Sequence, residues 1–276
     1  MPEQQLDLFS AAGIPAEQPL PQRPARRPAV VDLDDQALIA AIPASNLGDS
    51  TALTAEAARR RLVAAIPALA ALCRRFAGFG IDRVVPEQSA ALRALAVIGS
   101  RDAAQAVSLL IVRGVVQGPT LGLAVTVAAQ LHATLPVDVL RSLLRHADPD
   151  IRANACHFAC RRPELIAVMI DLLDDLNHAV ARSAACALGQ MGRTEARPML
   201  ASLLREGPSE DVIDAVSPVA DEECIVLLGR IARSKPALFD AALDALESID
   251  HHRASAVATA IRGRASAIRE TSAAHE

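Results

Sequence analysis

Three groups of residues in this chain have types and spacings that could do chemistry. The first is Cys156 and Cys160, one helical turn apart with His157 between them, and His146 and His178 in the flanking segments. Thiolate and imidazole are ordinary zinc ligands. However, the chain has no Cys-x-x-Cys pair and no second pair at ligand spacing. Cysteines at i and i+4 of an apolar stripe fit a packed core better, so neither a metal nor a cofactor is expected. The second group is arginine, in the clusters Arg59-Arg60-Arg61, Arg74-Arg75, Arg161-Arg162 and Arg230 with Arg233. Arginines gathered on one face would attract a polyanion. Asp171, Asp174, Asp175, Asp221, Glu222 and Glu223 would repel phosphate from that same face. The arginines are therefore read as solvated helix surface, and direct nucleic-acid binding is not expected. The third group is Gln5-Leu6-Asp7-Leu8-Phe9. Leu8 and Phe9 form adjacent apolar anchors that could fill a pocket, with Gln5 hydrogen-bonding at its rim. The competing readings are a short helix packed on the first hairpin of the same chain, or no role. The chain has no Gly-rich phosphate loop, no Gly-x-Ser-x-Gly elbow and no His-Glu-x-x-His. The acidic pairs fall at helix starts, where the helix dipole accounts for them. No catalytic residue is assigned, and the expectation is a protein that is not an enzyme.

The elements that must position these groups are helical. Apolar residues make up 51% of the chain, yet only 2% are aromatic, all of them Phe. Ala and Leu must therefore fill the core, which suits closely packed helices. The shortage of aromatic platforms argues against base-stacking nucleic-acid modules. The net charge of −4 gives no overall field drawing the chain to DNA. Five cysteines inside apolar runs suggest reduced thiols and a cytoplasmic setting. The longest uncharged apolar stretch, Leu62 to Cys73, is too short to span a bilayer. The N-terminus does not have the form of a signal peptide. Residues 1–30 carry Pro2, Pro15, Pro19, Pro21, Pro24 and Pro28 and no helical period, and read as an extended or disordered tail. Residues 31–86 form an N-terminal helical block with breaks at Pro43 to Gly48 and at Pro67, the second of which could be a kink. Gly78-Phe79-Gly80 closes that block.

From 87 to 264 the chain repeats itself. The segment starting at Leu143-Leu144-Arg145 recurs 29 residues later at Leu172-Leu173-Asp174, and more loosely from Leu203. A fixed period of about 30 residues with helical spacing means stacked helical hairpins. First helices are expected near Glu87, Pro119, Pro149, His178, Ser209 and Pro236, and second helices near Arg101, Val137, Glu164, Thr194, Asp221 and His251. Asp148 and Ser209 are expected N-caps, and Gly99, Gly192 and Gly207 are expected helix ends. Residues 265–276 read as a frayed end.

Asp148-Pro149-Asp150-Ile151-Arg152 and Val180 to Gly192 resemble the two halves of the short bacterial HEAT-like repeat. Phe158-Ala159-Cys160 departs from its Ala-Leu-Gly. The likeness runs over about 87–262 and weakens over 31–86. It implies an all-α solenoid that holds a protein partner on its surface. Gln5-Leu6-Asp7-Leu8-Phe9 looks like the peptide by which bacterial replication and repair proteins hold the β sliding clamp, and so implies the clamp as a second partner. HEAT-like repeats also occur in DNA glycosylases and in phycobilin lyases. The glycosylase likeness gives an alternative, a repair enzyme gripping duplex DNA on its concave face. That reading needs a carboxylate beside aromatic residues in a basic groove, and no such grouping is visible. A stand-alone interaction module with a meaningless tail is the third reading.

Overall fold

The structure, a computed structural model, describes residues 29–273, with side chains as far as Arg264. Gln5, Leu6, Asp7, Leu8 and Phe9 lie outside the described residues. The helices are α1 (Asp35–Ala41), α2 (Leu47–Arg59), α3 (Ile66–Arg75), α4 (Pro86–Ile98) and α5 (Arg101–Val112). There follow α6 (Gly118–Gln130), α7 (Val137–Leu144), α8 (Pro149–Ala159), α9 (Ile166–Asp171) and α10 (His178–Gln190). The chain continues through α11 (Arg197–Glu206), α12 (Glu210–Val216), α13 (Glu222–Ser234), α14 (Phe239–Ser248) and α15 (His252–Ala273). No strand occurs among the described residues.

These helices form a two-layer α-solenoid. In one layer α2, α4, α6, α8, α10, α12 and α14 each pack on the next. In the other, α3 packs on α5, α7 on α9, α11 on α13, and α13 on α15. Contacts such as α3 with α4, α7 with α8 and α13 with α14 hold the layers together. The α2–α3 hairpin stacks on α4 and α5 as the later hairpins stack on one another. The seams are filled by small and branched residues, with Ala184, Ala185 and Leu188 of α10 all buried. Each large apolar side chain removed from water is worth about 1.5–3 kcal/mol.

Local chemistry starts the helices where the repeat pattern places them. The Asp148 carboxylate accepts from the Asp150 N–H, and Asn177 and Asp221 cap α10 and α13 in the same way. Ser209 is a correction. It precedes α12, but its hydroxyl accepts from Arg182 Nη2 at 2.7 Å instead of capping the helix. Pro67 lies in the first turn of α3, where no backbone N–H is needed, so it starts a helix and does not kink one.

Of the arginines expected at the solvated surface, Arg59, Arg61, Arg74, Arg75, Arg161, Arg230 and Arg233 are exposed. Arg60 is the correction, half-buried and fastening separate elements. Arg60 grips the chain ahead of α1 through the carbonyls of Val31 and Leu33 and the carboxylate of Asp35, at 2.8–3.0 Å. Arg75 donates to the carbonyls of Pro43 and Ser45. Arg152 of α8 forks onto Asp175 at 2.8 and 2.9 Å, tying two hairpins together. Glu222 and Glu223 meet Arg253 and Arg205. Side chains distant in sequence but one hairpin apart in space thus neutralise one another, which composition alone does not reveal.

Candidate functional site

The loop between α3 and α4 displays apolar side chains that the core does not use. Phe79, Ile81 and Val84 are 59%, 64% and 55% exposed. Asp82 and Arg83 stand exposed beside them as a polar rim. The ring of Phe76 meets Phe79 edge-on at 6.2 Å, and the Arg75 guanidinium lies 5.2 Å from the Phe76 ring centre.

Buried groups fix this loop. Gln88, only 1% exposed, directs its amide nitrogen at the carbonyls of Cys73, Phe76 and Val115, at 3.0–3.2 Å. Its Oε1 has no hydrogen-bond partner among the described residues. The Val85 N–H donates to the buried hydroxyl of Thr120 at 3.1 Å. Gly118 has φ +51°, and a Cβ there would lie 2.2 Å from the Gly80 carbonyl oxygen and 2.3 Å from that of Ile81. Only glycine lets the loop backbone come this close to the start of α6. Gly78-Phe79-Gly80 lies in this loop, just past the end of α3. No local pattern marks the apolar surface of this loop, because exposure there depends on α4, α5 and α6.

The Cys–His constellation does not assemble into a metal centre, and among the described residues no group of three His, Cys, Asp or Glu side chains could hold a metal ion. Cys156 is buried with Sγ 3.4 Å from the Arg152 carbonyl oxygen, and burial pushes its thiol up to about 12. Cys160 is corrected from a core position. It follows the last residue of α8, is only half-buried, and its Sγ lies 3.2 Å from the His157 carbonyl oxygen. His146 Nδ1 accepts from the Asp148 N–H, and exposed His178 opens α10. His157, Cys160, Arg161 and Arg162 instead border an open cleft of about 830 Å³ between the α6–α7 and α8–α9 hairpins. No helix among the described residues is long and apolar enough to cross a membrane.

Comparison with known proteins agrees with this architecture. A family described as HEAT repeats matches residues 137–217, which span α7 to the end of α12. Among solved structures, the complex of CpcE and CpcF of phycocyanin lyase from Nostoc sp. PCC7120 contains a similar chain. The superposition has a TM-score of 0.52 at 17% identity, covering 90% of this chain and 99% of that one. The likeness is one of fold. No curated protein gives a significant match.

Proposed function

We propose that this chain is a non-catalytic protein-binding scaffold. Its solenoid offers the loop carrying Phe79, Ile81 and Val84 to a partner, and Gln5, Leu6, Asp7, Leu8 and Phe9 tether it to the bacterial β sliding clamp. The observation that carries the first part is the loop itself. Three large apolar side chains stand in water on a backbone held by Gln88, Thr120 and Gly118. Exposed apolar clusters with a polar rim mark protein interfaces, and a rigid one loses little entropy on binding. A similarly folded chain occurs in a complex of two proteins, which supports a protein partner here too. The acids that pair with Arg152, Arg205 and Arg253 leave less free positive charge for a duplex, which favours a scaffold over a DNA-repair enzyme. The tether rests on the residue pattern of the N-terminal segment and on the linker from Phe9 to Val30, which reaches about 60 Å if extended.

Two variants test the two parts separately. Leu8→Ala with Phe9→Ala should abolish binding to purified sliding clamp, which the wild-type segment should hold at micromolar Kd, about −7 to −8 kcal/mol. The melting temperature should not change. Retained clamp binding rejects the tether, and a large fall in melting temperature shows instead that these side chains pack on the solenoid. Phe79→Ala with Ile81→Ala and Val84→Ala should release proteins that the wild-type chain captures from its host, again without loss of stability. Capture of the same proteins by the triple variant would reject the loop as the interface.

A further inference from the structure

The cleft between the α6–α7 and α8–α9 hairpins has a composition that stacking does not require. Its volume of about 830 Å³ lies in the range of small-molecule sites. Four basic residues line it, His132, His157, Arg161 and Arg162, and no carboxylate does. None of the four forms an ion pair among the described residues. By contrast Arg152, Arg197, Arg205, Arg253 and Arg262 each meet an acid. In a chain of net charge −4, two guanidinium groups held together in a concavity without counter-charges form a local anion trap. Half-buried Phe158 gives the same cleft an apolar wall.

Two departures from the repeat build this cleft. The turn after α10 runs Gln190-Met191-Gly192, with Gly192 at φ +71°. The corresponding turn after α6 runs Gln130-Leu131-His132 and forces His132 into the same left-handed region, at φ +51°. That conformation costs a non-glycine residue energy, and glycine would supply it freely. The second departure is Phe158-Ala159-Cys160 followed by Arg161-Arg162, where the other turn has glycine. Both replacements put chemically active side chains on one cleft. A strained residue is a reason to ask what it does there.

We infer that this cleft is a binding site for a small organic phosphate. The Arg161 and Arg162 guanidinium groups take the phosphate oxygens, His132 and His157 add polar contacts, and the Phe158 ring receives the organic body. Guanidinium suits phosphate because its parallel N–H groups match two oxygens at once. The inference is independent of the scaffold reading, since none of these residues belongs to the loop at 76–85 or to the N-terminal segment.

Phenyl phosphate titrated into the full-length protein is the test, read by heteronuclear NMR and calorimetry, with inorganic phosphate and benzoate as comparison anions. Phenyl phosphate should shift the resonances of Gln130, His132 and His157 and bind more tightly than either comparison anion. Arg161→Ala with Arg162→Ala should weaken it at least about tenfold, while Arg230→Ala with Arg233→Ala, which removes the same charge elsewhere, should not. His132→Gly should raise the melting temperature and yet lower the affinity, a pairing that a merely structural turn residue would not produce. Absence of cleft shifts in the wild-type protein, or an equal loss in both arginine pairs, overturns the site. Equal binding of inorganic and phenyl phosphate overturns the organic ligand.

Discussion

At the scale of single residues, the informative side chains are those with partners. Glu56 is 6% exposed and lies between two arginines, accepting from Arg59 at 2.8 and 2.7 Å and from Arg60 at 2.7 Å. The Arg59 hydrogen bonds, followed by that from Arg60, hold its carboxyl down at about 2. A depressed carboxyl adds stability above its unfolded pKa, about 4.3, and that stability is lost as pH falls toward the folded value. Glu56→Gln should therefore be less stable than wild type at about pH 6, and the gap should narrow by about pH 3 in denaturant melts. Cysteines separate by burial in the same way. The thiols of Cys73 and Cys156 are pushed up to about 12 by desolvation, so almost no thiolate forms near neutrality. Maleimide should label half-buried Cys160 first and reach Cys73 and Cys156 only on unfolding, as mass spectrometry of partly labelled protein would show. The burial of Cys156 was legible in its apolar stripe, and the environment of Arg60 was not. Arg59-Arg60-Arg61 read as surface in the sequence because Asp35 and the carbonyls of Val31 and Leu33 converge on Arg60 only in three dimensions.

At the scale of elements, helix starts were legible and loops were not. The expected starts at Arg101, Val137, Pro149 and His178 coincide with those of α5, α7, α8 and α10. Local signals suffice for this, because a cap or a first-turn proline acts within four residues. The loop at 76–85 depends on α4, α5 and α6 meeting around Gln88, and no local signal encodes that meeting. Gln88→Leu would remove the donor that the carbonyls of Cys73, Phe76 and Val115 share, although Cys73 and Phe76 keep a backbone N–H each. It should cost about 1–3 kcal/mol and speed amide exchange through the loop, and hydrogen-exchange mass spectrometry would register both. A loop unaffected by the substitution would mean that Thr120 and Gly118 hold it unaided.

At the scale of the whole molecule, each hairpin is stabilised mainly by its neighbours. Leu188, 0% exposed near the C-terminal end of α10, belongs to a helix that packs on both adjacent hairpins. Leu188→Ala should cost about 2–5 kcal/mol through lost transfer energy and a cavity. Exchange protection should fall in α8 and α12 as well as in α10, because those helices pack directly on it. Protection lost in α10 alone would mean the hairpins are energetically separate. The helical class, the period of the array and most helix starts follow from the chain's local pattern, because periodicity and capping are local and repeat with each unit. Tertiary structure alone decided which arginines are fasteners and which stay free, that Phe79, Ile81 and Val84 stand in water, and that His132 and Arg162 border one cleft. Each of these depends on which hairpins become neighbours and at what spacing. Stacking sets that geometry across about 30 residues of intervening chain, beyond the reach of any local pattern.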